Sequence, residues 1–370
     1  MIRLELVTKI YPGQKNPVVN ELSLEVPAGE VCILLGPSGC GKTTTLKMIN
    51  RLVEPTSGEI YINGRNNQDL DPIKLRLNIG YVIQEVGLFP HMTIAENIAT
   101  VPREKKWPEE KIRARVHEML RLVGLEPDLY GGRKPAALSG GQRQRVGVAR
   151  ALAADPPILL MDEPFGAVDP ITRAHLQNEF LRIQEKMRKT VVFVTHDIDE
   201  AIKMGDKIAV MREGKLVQYD PPERLLTAPR DDFVERLVGH NRTLKRLHLI
   251  QVKEVVRKEV PVVSPESSLE DVARVSSQSK IRAAFVVDPH RRLLGVVPIN
   301  KLNHWNGSAR AGDVLERLHN IVEAKATLND ALSVMLNCGE WYVAVLNNNT
   351  EFEGIVTLGN LLELMKEDAA

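Results

Sequence analysis

Residues 31–44 read VCILLGPSGCGKTT, an apolar run followed by a glycine-rich turn and then Lys42, Thr43 and Thr44. A short run of leucine, valine and isoleucine suits a strand buried on both faces of a parallel sheet. The turn fits G-x-x-x-x-G-K-[ST]. Gly36, Gly39 and Gly41, with Pro37, Ser38 and Cys40 between them, let successive backbone amides face a row of phosphates. Lys42 reaches the β/γ oxygens of a nucleoside triphosphate, and Thr43 offers a hydroxyl to Mg²⁺. A strand, a phosphate turn and a helix in this order require an α/β sheet with its ligand at the carboxyl edge.

Two further runs, PILLMDEP (157–164) and TVVFVTHD (190–197), have the same buried-strand character and end in polar groups. All three therefore deliver their chemistry to one sheet edge. Asp162 is placed to hold Mg²⁺ through water, and Glu163 to take a proton from, or orient, an attacking water. His196 is expected to contact the γ-phosphate. Gln84, in YVIQEVGLFPHMT, offers an amide to metal or water, although a glutamine after a strand also suits a solvated surface. Tyr11 lies 25 residues before Gly36. It serves equally as a ring to stack on adenine or as a core tyrosine. The charged segment 102–135 has a helical period and is expected to form a helical insert.

After that insert comes LSGGQRQR (138–145), a serine and two glycines opening a basic helix. Amides at a helix N-terminus bind anions, so the chain holds a second phosphate-binding turn. Composition narrows the partners. The formal net charge of +1 over 370 residues gives no global field for nucleic acid. Three widely spaced cysteines suit a reducing compartment and argue against a disulfide framework or zinc site. The N-terminus has no signal-peptide run, and no stretch approaches 18 apolar residues, so any membrane role runs through a partner.

Near residue 240 the character changes. A basic stretch carries Arg242, Lys245, Arg246, Lys253, Arg257 and Lys258, and a repeat follows it. The stretch 268–272 (SLEDV) matches 327–331 (TLNDA), AFVVD (284–288) matches VAVLN (343–347), Gly295 matches Gly354 and Leu302 matches Leu361. The offset is 59 residues throughout, which points to duplication. Each copy reads helix, strand, turn, strand, short helix.

In order along the chain, Tyr11, GPSGCGKT, Gln84, LSGGQRQR, ILLMDEP, GAVD and THD resemble the nucleotide-binding subunit of ATP-binding-cassette (ABC) transporters, over residues 1 to about 235. The duplication resembles a tandem pair of cystathionine-β-synthase-type (CBS) domains. The combination is similar to the ATPase subunits of osmoprotectant importers, for glycine betaine, carnitine, choline or proline. The implied fold is α/β: a P-loop ABC ATPase domain with a parallel core sheet, an antiparallel β subdomain and a helical subdomain, then an α+β CBS module. The expected boundaries are 1–238 for the ATPase, 239–258 for a basic joint, 259–308 for the first repeat and 309–370 for the second.

The resemblance also accounts for the second phosphate turn. In the family two subunits face head to tail, and the signature of one closes over ATP held by the other. Ser139, Gly140, Gly141 and Gln142 would then contact nucleotide in trans, with Asp169 at the same interface. The implied partners are a second copy of the chain, transmembrane permease subunits and, indirectly, a substrate-binding protein, at the cytoplasmic face of the inner membrane. Another small solute, or a soluble non-transport ABC ATPase, is the alternative. The repeats depart from the nucleotide-binding CBS ending G-[VI]-[VI]-[TS]-x-x-D, having Lys301 and Asn360 where the acid would stand. Anionic lipid at the basic stretch, a cyclic dinucleotide, or dimerisation alone remain as uses for them.

Overall fold

The three apolar runs become neighbouring strands of one sheet. The structure, a computed structural model, describes all residues except 85–86, 167, 240, 278–280, 282, 300–308, 348 and 368–370. Lys301 and Leu302 therefore lie outside the described residues. The chain divides into two units, Met1–His240 and Asn241–Ala370.

In the first unit, β1 (Ile2–Lys9), β2 (Val19–Val26), β4 (Ser57–Ile62) and β5 (Arg65–Asn66) form an antiparallel sheet in the order β2-β1-β4-β5. A second sheet runs β10-β9-β3-β8-β7-β6, from β3 (Val31–Leu35), β6 (Ile79–Val82), β7 (Ile158–Asp162), β8 (Thr190–Thr195), β9 (Lys207–Arg212) and β10 (Lys215–Asp220). It is parallel apart from the β9–β10 hairpin. Every residue of β3, β7 and β8 is buried, as their uninterrupted apolar character requires. Ile2, Leu4 and Leu24 pack with Cys32, Leu34, Leu160 and Val192 in one core, so the antiparallel sheet covers a face of the parallel one. Register pairs Leu35 with Thr195 and Asp162 with Val194, which brings the ends of β3, β7 and β8 level.

Helices α1 (Lys42–Ile49) and α2 (Pro72–Leu77) precede the helical segment. That segment starts at Ile94, earlier than the expected 102. Thr93 and Glu96 form a capping box that opens α3 (Ile94–Glu104), and Pro102 is accommodated inside it. Helices α4 (Glu109–Leu122), α5 (Pro127–Tyr130), α6 (Gly140–Ala153), α7 (Pro170–Met187), α8 (Ile198–Met204), α9 (Pro222–Thr227) and α10 (Asp232–Val238) complete the unit.

In the second unit the duplication is structural. After α11 (Arg242–Arg246), one copy holds α12 (Val252–Val255), β11 (Val262–Val263), α13 (Leu269–Ser277), β12 (Ala283–Val287) and β13 (Leu293–Pro298). The other holds α14 (Ala311–Val314), β14 (Ile321–Glu323), α15 (Leu328–Cys338), β15 (Tyr342–Leu346) and β16 (Phe352–Thr357), followed by α16 (Leu358–Glu367). Each element of the second copy starts 59 residues after its counterpart. The bridges obey the same offset: Gln251 with Thr327 and Ser268 with Arg310, then Arg257 with Ile355 and Val296 with Glu316. Arg292 pairs with Glu351, its own counterpart. The two copies thus sit about an approximate twofold axis, and the arm before each copy crosses to the other.

The stretch expected as a basic joint is therefore more than a linker. Leu247 and Val252 share a core with Val322, Leu328, Val343 and Val356 of the second copy. Gly354, at φ +151°, lets this arm approach. A Cβ there would lie 2.1 Å from the Arg257 carbonyl oxygen. Gly354→Ala is expected to destabilise the second unit by about 3 kcal/mol, through overlap and backbone strain. Denaturant unfolding followed in that unit checks this. An unchanged midpoint would contradict the crossed-arm packing.

Candidate nucleotide site

The turn after β3 folds as its glycines demand. Gly36 has φ +154°, and a Cβ there would lie 2.2 Å from the Met211 carbonyl oxygen. Gly41 caps α1 in a left-handed conformation. Lys42 is buried, and its Nζ donates to the carbonyl oxygens of Gly36 at 2.6 Å and Pro37 at 3.0 Å. A cavity of about 320 Å³ is lined by Ser38, Gly39, Gly41, Lys42, Thr43 and Thr44 with Val18, Gln84 and Glu163. Exposed loop amides, the positive end of α1 and one ammonium make it an anion site.

Asp162 and Glu163 leave β7 side by side but in different settings. Asp162 is buried and accepts a 3.0 Å bond from the Thr43 hydroxyl. Burial raises its pKa above the ordinary carboxylate value; the Thr43 bond opposes this, and the Glu163 charge adds to the rise. Glu163 has a left-handed backbone, φ +46°. Its Oε2 accepts from Gln84 Nε2 at 3.1 Å, and its Oε1 lies 3.1 Å from His196 Nδ1. The structure thus brings two expected site residues, Gln84 and His196, onto the carboxylate of a third, Glu163. His196 itself is exposed.

Thr43 and Asp162 offer hard oxygen donors at the floor of the phosphate turn, and a buried carboxylate gains from a cation beside it. Among the described residues no cluster of three or more His, Cys, Asp or Glu is assembled for metal. That donor set fits Mg²⁺, which takes one or two protein oxygens and fills its shell with phosphate and water.

Ser139 does not line the cavity. It caps α6, with the Gln142 amide donating to its Oγ at 3.2 Å and its own amide donating to Gln142 Oε1 at 2.9 Å. Ser139 and Gly140 are exposed, and Gly141 is half-buried. Asp169 caps α7 through the Thr172 amide at 3.0 Å. Neither Ser139 nor Asp169 lines the cavity of its own chain.

Tyr11 is absent from the cavity wall. It is half-buried in the turn after β1, its ring centroid 5.3 Å from Lys9 Nζ. Cys40, although inside the loop, turns its side chain into the core: it is 3% exposed, and burial pushes its thiol pKa up. Its side chain is not part of the cavity wall. Val18 lines the cavity with no motif to announce it. In the second unit, Thr357 Oγ1 accepts from the Asn360 amide at 3.2 Å at the start of α16, and Asn360 Oδ1 accepts in return from the Thr357 amide and hydroxyl at 3.1 and 2.7 Å.

A family model described as "ABC transporter" matches residues 19–166, and one described as "CBS domain" matches 252–304 and 312–367. The chain is 44% identical over 367 residues to the glycine betaine/carnitine/choline transport ATP-binding protein OpuCA of Bacillus subtilis (strain 168), covering 99% of this chain and 96% of that protein. It is 45% identical over 361 residues to the osmoprotectant import ATP-binding protein OsmV of Salmonella typhimurium (strain LT2), covering 96% of this chain and 94% of that one. A solved dimeric ATP-binding cassette in a post-hydrolysis state, bound to ADP and Pi, superposes with a TM-score of 0.57 at 36% identity, covering 60% of this chain and 99% of that one. With a phosphate turn, a strand-end carboxylate pair and a full-length match at this identity, the chain belongs to the ABC transporter family, as an ATP-binding, ATP-hydrolysing subunit with a C-terminal pair of CBS domains.

Proposed function

We propose that this chain hydrolyses ATP to drive import of a quaternary-amine osmoprotectant, such as glycine betaine, carnitine or choline, through separate membrane subunits. The observation that carries the chemistry is the Glu163 carboxylate held between Gln84 and His196 at the wall of a cavity floored by Lys42 and Thr43. The cargo class rests on the full-length similarity to OpuCA and OsmV.

The triphosphate lies along the amides of residues 36–44, with Lys42 beside the β and γ oxygens. Water between Glu163 and the γ-phosphorus attacks it, and the bond from phosphorus to the β,γ-bridging oxygen breaks. The water proton passes to Glu163, and ADP and phosphate are released. His196 and Gln84 hold the two carboxylate oxygens, so the base needs no reorganisation when charge develops. Thr43 and Asp162, with Gln84 in reach, would hold Mg²⁺, and the ion would supply neutralisation of phosphate charge. The Ser139 hydroxyl and Gly141 amide of a second copy close over the γ-phosphate, with Gly140 and Gln142 shaping that turn and Asp169 at the same interface. Binding of two ATP closes the head-to-tail dimer, and hydrolysis reopens it.

No helix among the described residues is long and apolar enough to cross a membrane; in this reading the chain works at the cytoplasmic face of the inner membrane and transport runs through separate permease subunits. Phe89, 40% exposed, lies shortly after Gln84, with its amide and carbonyl bonded to Asn97. This rigid apolar point suits docking to a permease and would pass the state of Gln84 to it. In the second unit, a cleft of about 410 Å³ lined by residues of both copies, among them Arg317, His319 and Trp341, favours a regulatory ligand such as a cyclic dinucleotide. Arg242, Lys245 and Arg246 already have partners, and Arg257 pairs with Glu363 at 3.7 Å.

Uptake in vesicles reconstituted with the cognate permease and binding protein tests this reading. ATP-dependent accumulation of labelled glycine betaine, carnitine or choline is expected. Accumulation of an amino acid or a metal ion in place of all three would overturn the cargo assignment.

A further inference from the structure

The backbone of Glu163 is held by the signature helix of its own chain. Its left-handed conformation, φ +46°, is one a residue with a Cβ adopts only when its surroundings impose it. Three hydrogen bonds do so. The Glu163 amide donates to the Val194 carbonyl of β8 at 3.0 Å. Its carbonyl accepts from the Gly166 amide at 3.2 Å and from Gln144 Nε2 at 2.8 Å. The last is the shortest, and it is the one that comes from α6. Gln144 is 3% exposed, so water does not compete for the bond.

The position of Gln144 on α6 gives that bond its importance. The helix opens at Ser139 with a closed capping box and runs unbroken to Ala153. At 1.5 Å per residue, Gln144 sits only about 7 Å along the axis from the Ser139 cap. On the composite-site reading one end of this element faces the partner's nucleotide, while its second turn grips the peptide of its own chain's Glu163.

We propose that Gln144 is a positioning residue that couples the two composite ATP sites. When the partner's γ-phosphate draws Ser139 and Gly141 in, α6 moves as a unit. Gln144 carries the Glu163 carbonyl with it and sets the carboxylate that serves the second nucleotide. Linkage makes the coupling reciprocal: placing Glu163 on its own nucleotide favours closure of the signature on the other. The inference rests on the composite-site reading given above.

The test compares ATP hydrolysis by the full-length parent, Gln144→Met, Gln144→Glu and Glu163→Gln. Methionine keeps the length of the side chain and removes the donor. Glutamate keeps the shape and turns an acceptor toward the Glu163 carbonyl. Loss of one buried bond that orients the base lowers kcat about tenfold in Gln144→Met, and further in Gln144→Glu. The KM for ATP, nucleotide affinity and the melting temperature of Gln144→Met stay near the parent values. A purely structural role would move these together with kcat. The Hill coefficient for ATP is expected to fall below the parent's. Parent-like kcat and Hill coefficient in Gln144→Met, with Glu163→Gln inactive, overturn the coupling and leave the composite-site reading standing. A slow Gln144→Met with the parent's Hill coefficient also overturns it. Parent-like hydrolysis by Glu163→Gln removes the base itself, and the reading and the coupling fall together.

Discussion

Glu163→Gln retains ATP binding and loses hydrolysis by roughly 10²–10⁴-fold, the usual worth of a positioned general base. The amide preserves shape and still meets Gln84 and His196, which approach at 3.1 Å in the parent. It cannot take the water proton. The phosphate turn, with Lys42 bonded to the Gly36 and Pro37 carbonyls, is untouched by the change. Binding and chemistry therefore separate, and the variant accumulates as a closed dimer with ATP trapped. Single-turnover hydrolysis together with gel filtration in ATP reads both effects. Parent-like turnover would show that Glu163 is not the base.

Much of this site was legible in the sequence because its parts are local. A phosphate turn needs its glycines and lysine within a few residues, and buried parallel strands are uninterrupted apolar runs. Asp162, Glu163 and His196 at the ends of two such runs had to meet at one edge. Groups placed by long-range packing were harder to see. Val18 lines the cavity from the end of a loop before β2, and nothing in its neighbours marks it. Gln144 looked like one more polar residue of LSGGQRQR, and only the folded chain shows its amide on the Glu163 carbonyl. Cys40 misled in the opposite way. It lies inside the motif, yet its side chain fills the space beside Gly36, where a Cβ would come within 2.9 Å of its Sγ. The helical segment read as starting at 102, where its charged helical period begins, although the helix starts earlier and holds Pro102 inside it. Inside α3 the capping box at Thr93 sets the start instead.

The repeats show the same division. The 59-residue offset was legible as a period, since each copy carries the same alternation of helix and strand. The crossing of arms was not, because backbone bridges such as Arg257 with Ile355 leave no side-chain pattern. Asn360 illustrates a further limit. Its identity showed the ribose acid to be missing, but only the structure shows its carbonyl engaged at the start of α16.

The central claim is that each working site is built from two copies of the chain, and one mixing experiment tests it most directly. Lys42→Ala removes the ammonium that meets the phosphates, and Ser139→Arg blocks the signature; each protein alone is expected to be inactive. In a head-to-tail pair of one with the other, one site carries both lesions and the other carries none. The account predicts that ATP hydrolysis returns when the two inactive proteins are mixed and allowed to exchange subunits. Silence in the mixture, with heterodimers demonstrated by differential tagging, would contradict it.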